Sequence, residues 1–116
     1  MAKVQRHRTA IRRQDVSRPV RIALEHGLIN ESTTFFDYGC GHGDDVSRLN
    51  AMGLDAQGWD PIHRPFVSLK PADVVNLGYV VNVIEDSAER TLALRGAWSL
   101  AAKLLIVSAR LNIEAP

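Results

Sequence analysis

The sequence of 116 residues contains a single cysteine, Cys40, and no apolar run of the roughly 18 residues that a membrane helix needs. One thiol excludes an internal disulfide and a thiolate-rich zinc site, and the four histidines do not cluster in the sequence. We therefore expect no metal. The amino terminus is basic and polar and lacks the apolar stretch of a secretory signal. These absences predict a cytoplasmic protein without a membrane segment.

Charge is distributed unevenly, although the formal net charge is only +1. Residues 1–21 carry seven Lys or Arg against Asp15 alone, which gives +6 and leaves −5 for the remainder. A basic segment of this kind either binds the phosphates of DNA or RNA or is a solvated tail that aids solubility. Residues 1–16 show no apolar period, so we predict a basic arm there and one domain at 17–116. The candidate nucleic-acid contacts are Arg6, Arg8, Arg12, Arg13 and Arg18.

Helical and strand patterns alternate along this domain. A hydrophobic fraction of 46% is that of an ordinary globular protein, so the chain is expected to fold. The first predicted elements are a helix at 18–26 capped by Ser17 and strands at 33–36 and 55–59, separated by a helix that ends at Gly53. An irregular segment at 61–72 and a strand at 73–76 follow. The last two elements are a helix from residue 86 or 87 to Lys103 and a strand at 104–107. Such alternation predicts an α/β fold with a mainly parallel sheet.

The last helix and strand complete the predicted layers. Leu94, Trp98 and Ala101 recur at helical spacing, which predicts that they share one face and that Trp98 lies in the core. The run at 104–107 is wholly apolar, as expected for a strand covered on both faces of a parallel sheet.

The strongest functional signal is a glycine-rich turn between a strand and a helix, Asp37-Tyr38-Gly39-Cys40-Gly41-His42-Gly43, followed by Asp60 at the end of the next strand. Glycines let the backbone turn sharply and let a ligand approach, and a helix amino terminus offers unpaired N–H groups. An acid at the tip of the second strand can accept hydrogen bonds from ribose hydroxyls. This arrangement predicts a nucleotide site at the carboxyl ends of the strands.

Glycine spacing and Asp37 indicate which nucleotide is bound. The spacing Gly39-x-Gly41-x-Gly43 differs from the G-x-G-x-x-G of dinucleotide-binding domains. Asp37 would repel a pyrophosphate but can engage an amino group, and S-adenosylmethionine (SAM) has an amino-acid moiety, a sulfonium cation and no phosphate. A nicotinamide-binding domain is therefore disfavoured. Cys40 lies between glycines where a small side chain fits, and we do not expect a reactive thiol.

Residues 36–43 resemble the first motif of class I SAM-dependent methyltransferases, and Gly58-Trp59-Asp60 is similar to their second. Residues 72–86 are similar to the fourth-strand region of small class I enzymes. The resemblance implies a Rossmann-like, three-layer αβα sandwich with strand order 2-1-4-5 and SAM as cofactor. The cofactor-binding residues it implies are Asp37, Tyr38, Gly39, Cys40, Gly41, Gly43, Asp60, Pro61, Asn76, Leu77 and Gly78.

More narrowly, residues 7–11, 24–28 and 76–86 resemble methyltransferases associated with bacterial DNA phosphorothioation. That likeness implies methyl transfer in a DNA-modification context, but it does not supply the methyl acceptor. Asn76 and Tyr79 lie where DNA amino-methyltransferases place an Asn or Asp and an aromatic residue, so they are the candidate catalytic residues. In this chain Leu77-Gly78 stands where those enzymes have two prolines. In the alternative interpretation neither residue is catalytic: Asn76 caps the end of a strand and Tyr79 begins a packing segment.

The chain departs from the family pattern in two places. Between Asp60 and Asp73 there is too little chain for the usual helix and third strand, and the sixth and seventh strands have no counterpart before Pro116. We therefore expect a shortened fold, incomplete at its carboxyl end, that a partner or a second copy could complete. Two alternatives follow: a non-catalytic SAM-binding module, and a nucleic-acid-binding accessory protein with a vestigial crevice.

Overall fold

A computed structural model describes residues 15–78 and 87–108. Its elements in chain order are α1 (Arg18–Glu25), β1 (Thr34–Tyr38), α2 (Asp44–Ala51), β2 (Asp55–Trp59), β3 (Ala72–Gly78), α3 (Ser87–Leu100) and β4 (Ala101–Ser108). The four strands form one sheet in the order β2-β1-β3-β4, and every pair is parallel. The predicted α/β fold with a parallel sheet is confirmed. The strand order is also as predicted, because the strands called 4 and 5 in the family's order 2-1-4-5 are β3 and β4 here.

The sheet is covered on both faces because its central strands are apolar on both sides. Phe35 and Phe36 are adjacent in β1, so their side chains point to opposite faces, and both are buried. Phe35 packs with Val20 and Leu24 of α1 and with Val46 and Leu49 of α2. Phe36 packs in a second layer with Val75 and Leu77 of β3 and Ala97 of α3. Val16 is also buried in the first layer, so the body of the domain includes it.

Ser17 and Pro19 begin α1 as the sequence predicts, but Ser17 does not cap it through its side chain. Its backbone N–H and its hydroxyl donate hydrogen bonds instead to the two carboxylate oxygens of Asp45, at 2.8 and 2.6 Å. Asp45 lies in the first turn of α2, where an acid also complements the helix dipole. The start of α1 is therefore tied to the start of α2.

The segment between β2 and β3 contains no regular element. Residues 61–67 form turns and a bend, residues 68–71 are irregular, and an isolated antiparallel bridge joins Asp60 to Arg64. The prediction of an irregular segment is confirmed. A third strand between Asp60 and Ala72 is therefore absent from the described chain. Because this segment leaves β2 at its carboxyl end, it lies beside the edge at which the site was predicted.

The expectations for the end of the domain are wrong in three details. Ala101 begins β4 rather than continuing α3, and Lys103 lies within the strand, because Ala101 pairs with Ala72 of β3. Trp98 is 70% exposed and is not a core residue. Leu94, Ala97 and Leu100 take the side of α3 that faces the sheet. β4 is not covered on both faces either: it is an edge strand, and Val107 is exposed.

Side chains join three strands at the amino-terminal edge of the sheet. The backbone N–H of Thr34 donates to Asp73, and the N–H of Asp73 donates to the Thr34 hydroxyl. Lys103 of β4 lies 3.8 Å from the same carboxylate.

None of the three helices in the described chain is both long and apolar enough to span a bilayer.

Candidate functional site

The carboxyl ends of β1, β2 and β3 bring three predicted residues to one edge of the sheet. Because the strands are parallel, Asp37 near the end of β1, Asp60 directly after β2 and Asn76 near the end of β3 all lie on that side. Asp37 pairs in register with Asn76 and with Gly58, two residues before Asp60. This edge is where parallel sheets bind their ligands.

Asp37 is a buried acid with one side-chain hydrogen bond to the residues that the structure describes. It is 5% exposed and accepts a hydrogen bond of 3.1 Å from Nδ2 of Asn76. Burial raises the pKa of Asp37 to about 7, and the charges of Asp45 and Asp60 act in the same direction, whereas the bond from Asn76 lowers it. Near neutral pH this carboxyl is therefore poised between its protonated and ionised forms.

The glycine-rich turn adopts the backbone that only glycine takes readily. Gly39, Gly41 and Gly43 all have positive φ, between 58° and 84°. The backbone N–H groups of Gly39 and Cys40 both donate to the carbonyl of Trp59, at 2.7 and 2.9 Å. The turn is therefore held against the end of β2, next to Asp60.

Asp60 is bound by the protein's own backbone. Its Oδ1 accepts the N–H of Gly41, and its Oδ2 accepts those of Ile62 and His63, each at 3.0 Å. Burial opposes ionisation, but the N–H groups of His63, Ile62 and Gly41 outweigh it and lower the pKa of Asp60. Asp60 thus fastens the turn at residues 60–64 to the glycine turn, and Oδ1 carries one bond fewer than Oδ2.

Arg64 completes this contact, although no sequence pattern pointed to it. Its Nε and Nη2 donate to the carbonyl of His42 at 3.3 and 3.2 Å. The guanidinium lies over Gly43, where a Cβ atom would be 2.7 Å from Nε. The rings of His42 and His63 also touch, with centroids 3.9 Å apart. The φ of 84° therefore favours glycine at position 43, and a Cβ atom there would displace the Arg64 guanidinium from its place over the turn.

A second group that sequence reasoning missed is Ser108, at the end of β4. A Cβ atom on Gly78 would lie 3.1 Å from Nδ2 of Asn76 and 3.4 Å from Oγ of Ser108. Oδ1 of Asn76 and Oγ of Ser108 are both buried without a hydrogen-bond partner in the described part of the chain. Asn76 was predicted from the sequence, whereas Ser108 is brought to the site only by the pairing of β3 with β4, which places Ser108 opposite Gly78.

Several predicted cofactor residues face elsewhere. Tyr38 packs against Trp59 with ring centroids 5.1 Å apart, and its hydroxyl reaches Gly96 of α3. Leu77 is fully buried in the core, so only its backbone can border the crevice. Pro61 is exposed beside Asp60.

Cys40 is half-buried within the glycine turn. Burial raises the pKa of its thiol to about 11; Asp37 and Asp60 add to the rise, while Arg64 opposes it. A thiol with this pKa is almost wholly protonated near neutral pH. That state fits the expectation of an unreactive side chain.

A depression of about 350 Å³ adjoins the glycine turn on the side of α1. It is lined by Asp15, Val16, Ser17, Cys40, His42, Asp44, Asp45 and Arg48. Within residues 15–78 and 87–108, no three His, Cys, Asp or Glu side chains are grouped closely enough to hold a metal ion.

Two sets of predicted residues remain, Arg18 and those outside the described chain. Arg18 is exposed at the start of α1. Tyr79 and the arm residues Arg6, Arg8, Arg12 and Arg13 lie outside the described residues.

No protein-family model matches the chain, and no curated protein matches it either. The class that can be stated is an α/β protein with a four-stranded parallel sheet. Its carboxyl edge carries a buried acid, a buried amide and a glycine turn. Such an edge can hold a cationic, polar ligand next to the acid.

Proposed function

We propose that this protein is a SAM-dependent methyltransferase of class I, with a Rossmann-like fold, acting in the cytoplasm on nucleic acid. The observation that carries the proposal is the buried carboxyl of Asp37 at the carboxyl end of β1. The ion pairs within the described chain are Arg21 with Glu25 and Lys103 with Asp73, so neither supplies Asp37 with a cation. Buried charges are normally paired, and a cationic ligand would fill that role.

SAM fits this environment because it brings positive charge and no phosphate. Its ammonium group favours the ionised form of Asp37, and its N–H groups offer donors to an acceptor such as the unpartnered Oδ1 of Asn76. A pyrophosphate would instead face the carboxylates of Asp37 and Asp60. The same charge argument disfavours NAD.

Each part of the edge then has a role. Asp37 and the turn at 39–43 hold the amino-acid part of SAM, and Asp60 with Pro61 borders the ribose. Asn76, the backbone of Leu77 and Gly78 line the side of the methyl donor. Bound SAM supplies an activated methyl group, and transfer depends mainly on aligning the acceptor atom with it. Asn76 and Tyr79 are the candidates for that alignment.

The nucleic-acid acceptor is supported by the charge of the chain. Residues 1–21 carry +6, whereas the rest of the protein carries −5. A polyanion is attracted to such a segment and repelled by the acidic body, which orients it on the protein.

A second candidate is a binding module that does not catalyse transfer by itself. It is favoured by the turn at 60–64, because Asp60 already accepts three backbone N–H groups and Arg64 lies over Gly43. In a binding module of this kind, the turn at residues 60–64 occupies part of the crevice. A partner or a second copy would then be needed for activity.

The test is calorimetric titration of the full chain with SAM, S-adenosylhomocysteine and NAD. We expect the first two to bind and NAD not to bind, and Asp37→Asn to weaken SAM binding at least about tenfold, since it removes a charged partner. Asp55→Asn is the matched control, because Asp55 is exposed at the far end of β2. Near pH 6, SAM binding should also release a proton from Asp37, so the heat should depend on the buffer in the wild type but not in Asp37→Asn.

Absence of binding to both SAM and S-adenosylhomocysteine would rule out the proposal. Where binding occurs, transfer of a labelled methyl group from SAM to DNA or RNA separates the two candidates. The enzyme transfers the label, and the binding module does not.

A further inference from the structure

We propose that the segment at residues 61–71 binds single-stranded nucleic acid, with Phe66 stacking on a base. This surface is distinct from the basic arm and lies beside the crevice. The inference deepens the proposed function by naming the form of nucleic acid that reaches the site. It rests on that function only for the role of the crevice, and its test needs no cofactor.

Phe66 is the most exposed large apolar side chain in the described chain. It is 99% exposed, and Ile62 in the same segment is 79% exposed. An aromatic ring left wholly in water contributes nothing to the core, and its burial elsewhere would be worth roughly 2 kcal/mol. The ring therefore offers both of its faces to a ligand.

The backbone on either side of Phe66 is anchored. On one side, Arg64 binds the carbonyl of His42, and Asp60 accepts the N–H groups of Ile62 and His63. On the other side, Val67 packs in the core layer that contains Trp59. Phe66 is thus presented outward from a short segment fixed at both ends, which lowers the entropy lost when a base stacks on it.

Charge favours a nucleic acid over other partners for this surface. Residues 61–71 contain Arg64 and Lys70 and no acidic residue, although the chain beyond residue 21 is acidic overall. Lys70 is exposed. Basic side chains interleaved with an aromatic ring are what single-stranded nucleic-acid sites use, because phosphates meet the charges while bases stack on the ring.

Outside residues 61–71, the most exposed large apolar side chains in the described chain are those of Leu92 and Trp98. Leu92 and Trp98 on α3 share that helix with Glu89, Arg90 and Arg95, which carry both signs of charge. That face lacks the uniform positive charge of residues 61–71. It therefore supplies a matched control.

The experiment measures fluorescence anisotropy of the full chain with a labelled single-stranded DNA of about 12 nucleotides, within the range of known site sizes. We expect Phe66→Ala to weaken binding at least about fivefold, the lower end for loss of one stacked base. Phe66→Trp should retain binding, whereas Phe66→Leu, which keeps apolar area but not the ring, should lose it. Lys70→Gln should reduce the slope of log affinity against log salt by about 0.7.

Leu92→Ala is the control and should bind as the wild type does. Equal affinity of Phe66→Ala and the wild type would overturn the proposal. The proposal would also be overturned if Phe66→Leu still bound the DNA and if binding to vesicles of anionic phospholipid depended on Phe66. That result would identify a lipid surface as the partner instead. If the wild type bound single-stranded DNA through Phe66 but did not bind SAM in calorimetry, only the proposed methyltransferase function would be contradicted. The two failures are therefore distinguishable.

Discussion

Asn76 donates one hydrogen bond, 3.1 Å long, to Asp37 across the paired ends of β3 and β1. Both side chains are at least 95% buried. A buried carboxylate normally receives two or three such bonds or a cation, and one amide donor does not offset its burial. The pKa of Asp37 therefore stays high, at about 7, and the protein's stability should reflect it.

We expect the stability of the wild type to fall as pH rises through about 7. The pKa of Asp37 is raised above 3.8 by burial, so the native state keeps a proton that the unfolded chain releases. The stabilisation is complete below the unfolded pKa and is lost as pH rises through the folded pKa. Relative to Asp37→Asn, the free energy of unfolding should fall by at most about 4 kcal/mol between about pH 4 and pH 8.

Urea unfolding at a series of pH values measures this difference. Asp55→Asn, on the exposed start of β2, should follow the wild type at every pH. Parallel curves for the wild type and Asp37→Asn would show that Asp37 titrates normally.

Gly43→Ala should destabilise the protein more than Gly53→Ala does. Both glycines have φ near 85°, so each substitution strains the backbone by roughly 1–2 kcal/mol. Only at Gly43 does the new Cβ meet another group, the guanidinium of Arg64, whereas at Gly53 nothing lies within 4 Å. The difference between the two melting temperatures measures the contact with Arg64.

In an Arg64→Ala background, this difference should shrink, because the obstructing side chain has been removed. If Gly43→Ala remained equally costly there, the contact between Gly43 and Arg64 would not be what restricts position 43.

Asp45→Asn should cost more stability than Asp44→Asn. Both acids lie in the first turn of α2 and gain from the helix dipole, by roughly 0.3–1 kcal/mol. Asp45 also accepts two hydrogen bonds from Ser17, and an amide would turn its NH₂ group towards one of those donors. We expect a further loss of about 1–3 kcal/mol in chemical unfolding. Equal losses for the two variants would show that the contact between α1 and α2 contributes little.

Cys40 should react slowly with thiol reagents in the folded protein. The thiolate is the reactive form, and burial, Asp37 and Asp60 raise the pKa of Cys40 to about 11. Alkylation followed by mass spectrometry near pH 8 should be at least about tenfold slower than in the same protein unfolded in urea. Equal rates in the folded and unfolded protein would contradict the protected position of Cys40.

Local patterns in the sequence predicted most of the sheet. The apolar run before the glycine turn identifies β1, and the alternation of elements predicts a parallel sheet. The order of the strands came instead from the resemblance to class I methyltransferases. The end of α3 was not predictable in the same way. Ala101, Ala102 and Lys103 suit a helix as well as a strand, and pairing of Ala101 with Ala72 decides between them.

The site was only partly predictable. Asp37, Asp60 and the glycines follow from spacing, because strand ends in a parallel sheet share an edge. Arg64 and Ser108 did not follow, because their positions depend on how an irregular segment folds back and on which residue of β4 lies opposite Gly78. Trp98 misled for a related reason: helical spacing with Leu94 does not say which side of α3 meets the sheet.

The two edges of the sheet differ in how their polar groups are used. At the amino-terminal edge, Thr34, Asp73 and Lys103 join β1, β3 and β4 to one another. At the opposite edge, the same three strands end near Asp37, Asn76 and Ser108, where hydrogen-bonding capacity remains unused. The groups that align the strands and the groups with unused hydrogen-bonding capacity thus lie at separate ends of the sheet. Selection can alter the second set of side chains to accept new ligands while the first continues to hold the strands in register.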